Sequence, residues 1–423
     1  MLALQFIREN RNLIIEAQKK RNFNAETIID EIIKLDSLRR SNQTELESKL
    51  AKANIIAKEI GALFKAGNDK KAADLKNKSS ELKTSSKVIQ DKLNDLENKI
   101  LELRIQIPNL PNEDVPYGVS EKDNEEVFKS AKHINLTKQA LPHWELAEKY
   151  DIIDFDLGSK ISGSGFPVYK NKGARLQRAL INFFLDQNIS AGYNEFQVPH
   201  LVNADSGFGT GQLPDKDGQM YHSKEDDLYL IPTAEVPLTN LYRNVLLNEK
   251  DLPICITGYT PCFRREAGSY GAQVRGLNRL HQFDKVEIVR LETPEKSMKA
   301  LNEMVEHIKK ILSDLELPYR ILRLCGGDLG FTSALTYDFE IYSAAQKRWL
   351  EISSVSIFNS FQSERLKLRY KTKLGNKLPV FTLNGSALAL PRVLAGLLEN
   401  FQTEKGIIIP KALRPYTGFK IIS

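Results

Sequence analysis

LKNKSSELKTSSKVIQDKLNDLENKILELRIQI, Leu75–Ile107, is a helix written in heptads. Leu75, Leu82, Ile89, Leu96 and Leu103 form one seam position, and Ser79, Ser86, Leu93, Ile100 and Ile107 form the other. A seven-residue apolar repeat is close to two helical turns, so it keeps one stripe facing a partner helix, as in a coiled coil. Working backwards, Ile28, Ile32, Leu35, Leu46, Ala53, Ile56, Ile60 and Leu63 make a matching but rougher seam, interrupted by Arg39, Asn42 and Lys49. Gly67, Asn68 and Asp69 between the two supply a turn, which predicts an antiparallel hairpin. At about 1.5 Å per residue, two arms of roughly 35 residues each span on the order of 50 Å. Pro108 ends the second helix, and with Pro111 and Pro116 it predicts a stiff linker.

Charge collects on the far half of this hairpin. Eleven lysines and five acidic residues lie between Lys49 and Lys92, a surplus equal to the net +6 of all 423 residues. A basic, extended element suits a phosphate backbone, where each neutralised phosphate releases counterions. A solvated coiled-coil face or a dimerisation arm would carry the same charge. Phe64 is the one aromatic residue there, so shape or backbone readout is favoured over base stacking. No apolar run approaches the roughly 18 residues of a membrane span. Cys255, Cys262 and Cys325 form neither a disulfide framework nor a C-x-x-C zinc pair. Met1–Asn10 carries Arg8 and Glu9 and lacks a signal-peptide apolar stretch, so a cytoplasmic location is expected.

Beyond the prolines the pattern changes. Gly173–Gln187 reads as an amphipathic helix with Leu176, Leu180, Phe183 and Phe184 on one side, followed by a strand at Glu195–Val198. Strands are then expected at Leu228–Ile231, Ile254–Thr260, Gln282–Arg290, Tyr319–Leu324, Tyr337–Ile341, Trp349–Val355 and Pro379–Leu383. Helices flank them at Glu295–Leu315 and Leu388–Gln402. Hairpin-like spacing predicts an antiparallel sheet and an α+β fold. No G-x-x-x-x-G-K-[ST] loop exists, and the glycines 207, 209 and 211 run into Pro214 instead of a helix, so any nucleotide must be gripped by side chains from the sheet.

Such side chains are present. PCFRREAGSYGAQVRGLNRLHQFDKVE, Pro261–Glu287, reads as strand, glycine-rich loop, strand. Arg264 offers a planar fork for a phosphate and a carboxylate. Glu266 can accept from an adenine amino group, and Phe283 can stack on the base. A surface hairpin with an Arg–Glu pair and a core Phe is the plainer alternative. In WLEISSVS, alternation places Glu351 and Ser353 on one face and Ser354 on the other. A carboxylate near a hydroxyl or its water suits Mg²⁺. Thr382–Gln402 sets small residues before an apolar helix, with Arg392 near its start in reach of a terminal phosphate.

These segments together resemble bacterial-type seryl-tRNA synthetases over nearly the whole chain. The resemblance includes MLALQFIREN, IPNLPNEDVPYG (Ile107–Gly118), GTGQLP (Gly209–Pro214), LIPTAEVPLTN (Leu230–Asn240), the arginine hairpin and the Arg392 segment. It implies a class II synthetase: a tRNA-binding domain at 1–107 with the helical arm, a linker at 108–118 and a catalytic domain at 119–423. It further implies a homodimer through Gly173–Pro199. Thr233, Ala234 and Glu235 are implied to hold the serine ammonium, and Glu287 and Ser386 the serine hydroxyl, with Asn384 nearby. Arg264 would bridge serine carboxylate and ATP α-phosphate, and Arg392 would clamp the γ-phosphate. Glu266, Leu280 and Phe283 would surround adenine, Arg265, Ile352 and Ser353 would complete the ATP contacts, and Glu351 and Ser354 would bind Mg²⁺.

The implied reaction joins L-serine to ATP as seryl-adenylate, then moves serine to the 3′ end of tRNA(Ser), and also of selenocysteine tRNA. The arm would read the tRNA's long variable arm. Six positions depart from the commoner family pattern beside Arg265, which stands for a usual serine: Gly165, Gln273, Val274, Leu335, Ile357 and Pro391. Leu335, where a lysine is usual, would remove a polar partner near the site. The alternative is a catalytically silent tRNA-binding paralogue. A carrier-protein serine ligase would lack the long basic arm.

Overall fold

A computed structural model describes residues 1–131, 140–215, 218–266 and 275–423. It divides into two compact units: Met1–Lys19 with Phe23–Pro108, and Lys20–Asn22 with Asn109–Ser423.

In the first unit, short helices α1 (Leu4–Glu9) and α2 (Arg11–Lys19) precede the long α3 (Glu26–Lys65) and α4 (Asp69–Arg104), which pack along each other. The heptad reading holds residue by residue: every seam position from Leu75 to Ile107 is buried or half-buried, and Ser86, Ile89, Leu93, Ile100 and Ile107 are fully so. The turn is tighter than expected. Gly67 takes φ +72°, a left-handed conformation that glycine adopts at little cost, and Asp69 is already the first residue of α4. The second helix also stops short of Pro108, at Arg104. Pro108 disfavours helical backbone in the residue before it, so the chain leaves the helix ahead of the ring. Arg39, read as a seam interruption, has a partner. Asp36 is fully buried and accepts from Arg39 at 2.8 Å and Arg8 at 2.9 Å. Burial alone would raise that carboxyl, but the guanidinium groups of Arg39 and Arg8 hold it below its usual range. Toward the tip the seam thins, and among residues 49–85 Ala72 alone is fully buried.

The second unit is built on an eight-stranded sheet. Its strands are β1 (Glu125–Lys129), β2 (Asn194–Glu195), β3 (Ile254–Phe263), β4 (Gln282–Glu292), β5 (Tyr319–Arg323), β6 (Leu335–Ser343), β7 (Arg348–Asn359) and β8 (Phe381–Ala389). They lie in the order β1-β5-β6-β7-β8-β4-β3-β2, antiparallel throughout except for the parallel β2–β3 edge. The helices that bear on the site and its core include α5 (His143–Lys149), α6 (Asn171–Ser190), α7 (Glu235–Asn240), α8 (Ser297–Asp314) and α9 (Leu390–Asn400). One sheet face carries Ile288, Phe339, Ile341, Val355, Ile357 and Leu383, which share a core with Leu180 and Phe184 of α6, Met304 and Ile308 of α8, and Val393 and Leu397 of α9. The other face is left for chemistry.

The expected α+β layout stands, with corrections. The strand at Glu195–Val198 ends at Glu195, after which Phe196 N gives one last bond to Thr257 O. Thr382–Ala389 is no approach to a helix but a central strand, and α9 starts only at Leu390, with Pro391 at a helix-opening position that needs no N–H donor. Leu335 is likewise reassigned. It is fully buried on the core face, directly opposite Ile357 across the β6–β7 ladder. Strand alternation turns Thr336 and Asp338 toward the other face, so Leu335 removes no polar partner from it. The two departures are one apolar cross-strand pair. Gln273 and Val274 lie outside the described residues.

Candidate active site

The site face is assembled by register. Glu287 of β4 lies opposite Ser386 of β8 and Gly258 of β3, while Asn384 lies opposite Ser356 of β7. Neighbouring strands thus bring residues a hundred positions apart onto one patch. Glu287 is 0% exposed, with Lys285 Nζ at 2.8 Å from Oε2 and Asn384 Nδ2 donating to Oε1 at 2.7 Å. A carboxylate so buried is tolerable because an ammonium and an amide replace its water.

Beside it stands a second buried carboxyl, Glu235, at the start of α7. Gln362 Nε2 donates to its Oε1 at 2.6 Å, and Thr382 Oγ1 donates to Gln362 Oε1 at 2.6 Å, which fixes how the amide faces. Burial pushes Glu235 up to about 7; the Gln362 bond opposes this, and the Glu287 charge adds to it. Glu235 N donates to Thr233 Oγ1 at 3.2 Å, and Ala234 is buried between them. Thr233, Ala234, Glu235, Glu287, Asn384 and Ser386 are therefore all buried.

Further along the face, Arg264 follows directly on β3. Its guanidinium lies 5.3 Å from the centre of the Phe283 ring, and Nε donates to Pro232 O at 3.3 Å. Backbone hydrogen bonds from Arg264 N to His281 O and from Arg265 N to Gln219 O set the exit from the strand. The Arg265 side chain is exposed. Glu266, at φ +47°, pairs with Arg279 across the mouth of the hairpin loop, and Leu280 is buried next to that stem. Gly165, where an arginine is frequent, has a local cause. Its φ is +84°, and a Cβ would stand 2.4 Å from His281 Cδ2.

The expectation for β7 needs a correction. A bulge at Ile352 of β7, facing the Phe339–Glu340 step of β6, leaves Glu351 opposite Glu340 and Ser353 opposite Phe339. The extra residue puts Glu351 and Ser354 on the same face, with Ser354 Oγ 3.4 Å from Glu351 Oε1. Ser353 is instead buried and donates to Ser386 O at 2.5 Å. Ile352 turns its side chain into the core, so it offers the site its main chain only. Arg392 Nη1 donates to Glu351 O at 2.8 Å and lies 3.7 Å from Glu351 Oε2, while Nε donates to Asn278 O at 3.0 Å. Asp338 stands next to this group with Oδ1 unpartnered, and burial, then the Glu351 charge, raises its carboxyl well above the usual range. Carboxylates and a hydroxyl are hard oxygen donors of the kind Mg²⁺ takes.

Sequence reasoning missed Lys285, Gln362 and Asp338. Lys285 was legible in principle, since Phe283, Lys285 and Glu287 alternate on one face of β4. Gln362 and Asp338 matter through partners far away in the chain, and no local pattern marks them.

A mostly antiparallel eight-stranded sheet carrying this Arg264–Phe283 hairpin and the Arg392 helix defines a class II aminoacyl-tRNA synthetase core. Residues 219–401 match the family described as tRNA synthetase class II core domain (G, H, P, S and T), and residues 1–111 match the Seryl-tRNA synthetase N-terminal domain. The chain is 46% identical to the serine–tRNA ligase of Salinibacter ruber over 421 residues, 99% of this chain and 98% of that protein. It belongs to the serine–tRNA ligase family. Among solved structures it resembles the seryl-tRNA synthetase of Pyrococcus horikoshii complexed with ATP, with TM-score 0.91, 33% identity, and coverage of 100% of this chain and 99% of that one. The cytoplasmic serine–tRNA ligase of Naegleria fowleri in complex with AMP aligns with TM-score 0.86 and 25% identity, over 100% and 99% of the two chains. Among the described residues no helix is long and apolar enough to cross a membrane.

Proposed function

We propose that this chain activates L-serine with ATP and transfers the seryl group to the 3′ end of tRNA(Ser), and also of selenocysteine tRNA, as a cytoplasmic homodimer. In this reading residues 1–107 are the tRNA-binding domain, 108–118 the linker and 119–423 the catalytic domain. The observation that carries it is the buried Glu287, held by Lys285 and Asn384 opposite Ser386, in a member of this family. Glu287 accepts from the serine hydroxyl, and Lys285 keeps the carboxylate's charge compensated once water has left. A pocket built around that hydrogen bond rejects alanine, which would leave Glu287 short of a donor. Glu235, beside Thr233 and Ala234, meets the serine ammonium.

The serine carboxylate attacks the α-phosphorus in line and pyrophosphate leaves. The terminal ribose hydroxyl of the tRNA then attacks the adenylate carbonyl, and AMP leaves. No protein nucleophile is required. Arg264 holds serine carboxylate and α-phosphate together, Phe283 and Leu280 flank adenine, Glu266 accepts from its amino group and Arg392 takes the γ-phosphate. These groups act by positioning and by opposing developing charge. Glu351 and Ser354, with Asp338 near, fit Mg²⁺, and the ion would neutralise phosphate charge there. The basic arm binds the tRNA backbone through its lysines. Serine-dependent ATP–pyrophosphate exchange tests the reading. Robust exchange with serine and none with alanine is expected; no exchange by the purified protein would leave the silent paralogue in its place.

A further inference from the structure

His143 and Glu399 are both 0% exposed, and neither belongs to the residues assigned above. They sit beneath the returning stem of the arginine hairpin. Leu277 N donates to His143 Nε2 at 2.8 Å. A nitrogen that accepts carries no proton, so the ring proton resides on Nδ1 and is given to Glu399 Oε1 at 2.7 Å. Glu399 also accepts from His143 N at 3.0 Å, from Gln346 Nε2 at 2.8 Å and from Ser343 Oγ. Its carboxyl is held below its usual range; burial opposes this, and the His143 bond is the largest cause in favour. Gln346 Oε1 in turn accepts from Asn278 Nδ2 at 3.1 Å and Arg348 Nε at 3.1 Å. The fit at the stem is close, since a Cβ at Gly276 would stand 2.2 Å from His143 Nε2.

The chain of bonds has two ends that face ATP in the reading above. One is the stem itself, Leu277 to Leu280, with Arg279 paired to Glu266. The other is Arg392, which shares α9 with Glu399 and donates to Asn278 O at 3.0 Å. We propose that His143, locked in its Nδ1–H form by Glu399, is a positioning residue for the ATP subsite: it sets the height of the hairpin's returning stem relative to Arg392. The inference rests on the proposed ligase activity. The serine pocket, formed by Glu235, Glu287 and Asn384, shares no hydrogen bond with this network among the described residues.

Two substitutions divide the imidazole's two jobs. His143→Asn retains a donor for Glu399 but nothing that reaches Leu277 N; His143→Gln places an acceptor near Leu277 N. In ATP–pyrophosphate exchange, H143N is expected to raise the KM for ATP about ten-fold, as loss of one buried hydrogen bond would. The KM for serine and the kcat should stay within about two-fold. H143Q should recover most of the ATP KM although its Tm falls comparably. A wild-type KM for ATP in H143N, or parallel rises for ATP and serine in both variants, overturns the proposal. If H143N does not fold, Gln346→Met cuts Asn278 from Glu399 and should give the same ATP-specific rise. Wild-type protein is assayed alongside: no exchange by it defeats the ligase reading, whereas exchange with an unaffected H143N defeats only this inference.

Discussion

Replacing Glu235 by Gln should stabilise the protein and disable it together. Burial holds this carboxyl at about 7 against an ordinary 4.5, so the folded state binds the proton more tightly than the unfolded chain does. Wild-type stability therefore falls as pH rises through the window from 4.5 to about 7, and stays at its lower level above that. One pK unit corresponds to about 1.4 kcal/mol, so ionising Glu235 at pH 8 costs roughly 3 kcal/mol, and at pH 5.5 about half as much. The substituted amide keeps an oxygen for the Gln362 side chain to donate to and carries no charge. Urea unfolding followed by the fluorescence of Trp144 and Trp349 should give E235Q an advantage of roughly 3 kcal/mol at pH 8, shrinking to about half at pH 5.5. In exchange assays its KM for serine should rise by about two orders of magnitude, because the ammonium loses a desolvated counter-charge. A variant no more stable than the parent at pH 8, or equally advantaged at both pH values, refutes the assignment of a strained carboxylate.

Three further outcomes are expected. Gly165→Ala should cost about 2–4 kcal/mol, from a left-handed backbone and a Cβ driven against His281, read as a lower urea midpoint; an unchanged midpoint counts against it. Leu335→Lys should cost about 3–5 kcal/mol as an unpaired buried charge, and adding Ile357→Asn should return part of it in a double-mutant cycle, strict additivity being the contrary result. Changing Lys76, Lys78 and Lys83 to Gln should flatten the log–log salt dependence of tRNA binding by roughly 2, about 0.7–0.9 per lost phosphate contact, and an unaltered slope would remove those lysines from the interface.

How much of this was visible in the residues depends on how far apart the partners lie. The Leu75–Ile107 heptads were legible because a seam repeats within one helix, and burial follows them position by position. Arg264, Phe283 and Glu287 were legible because their strand–loop–strand is contiguous. The strand expected at Pro379–Leu383 was legible in its first half only; its continuation to Ala389 was not, because a run of buried residues shows no alternation and its small residues resemble a cap. The Glu351–Ser354 pairing was misassigned because Ile352 is the extra residue of a bulge within WLEISSVS itself, and strict alternation cannot mark where a strand takes in an extra residue. Gln362, His143 and Glu399 join segments 127 and 256 residues apart, so their chemistry emerges only with the tertiary fold.

The thinning of the hairpin seam divides the arm into two grades of local stability. Near its base, Leu46, Ile89 and Leu93 pack together and Asp36 is gripped by arginines, so amides there are protected from opening. From residue 49 to residue 85 the helices bury a single alanine completely, and propensity plus shallow contacts must hold them. Amide exchange at the tip is then governed by brief local fraying while the base stays shut. The lysine-rich surface thus sits on the part of the arm with the least folding free energy of its own, and a polyanion seated there supplies some of the order it binds to.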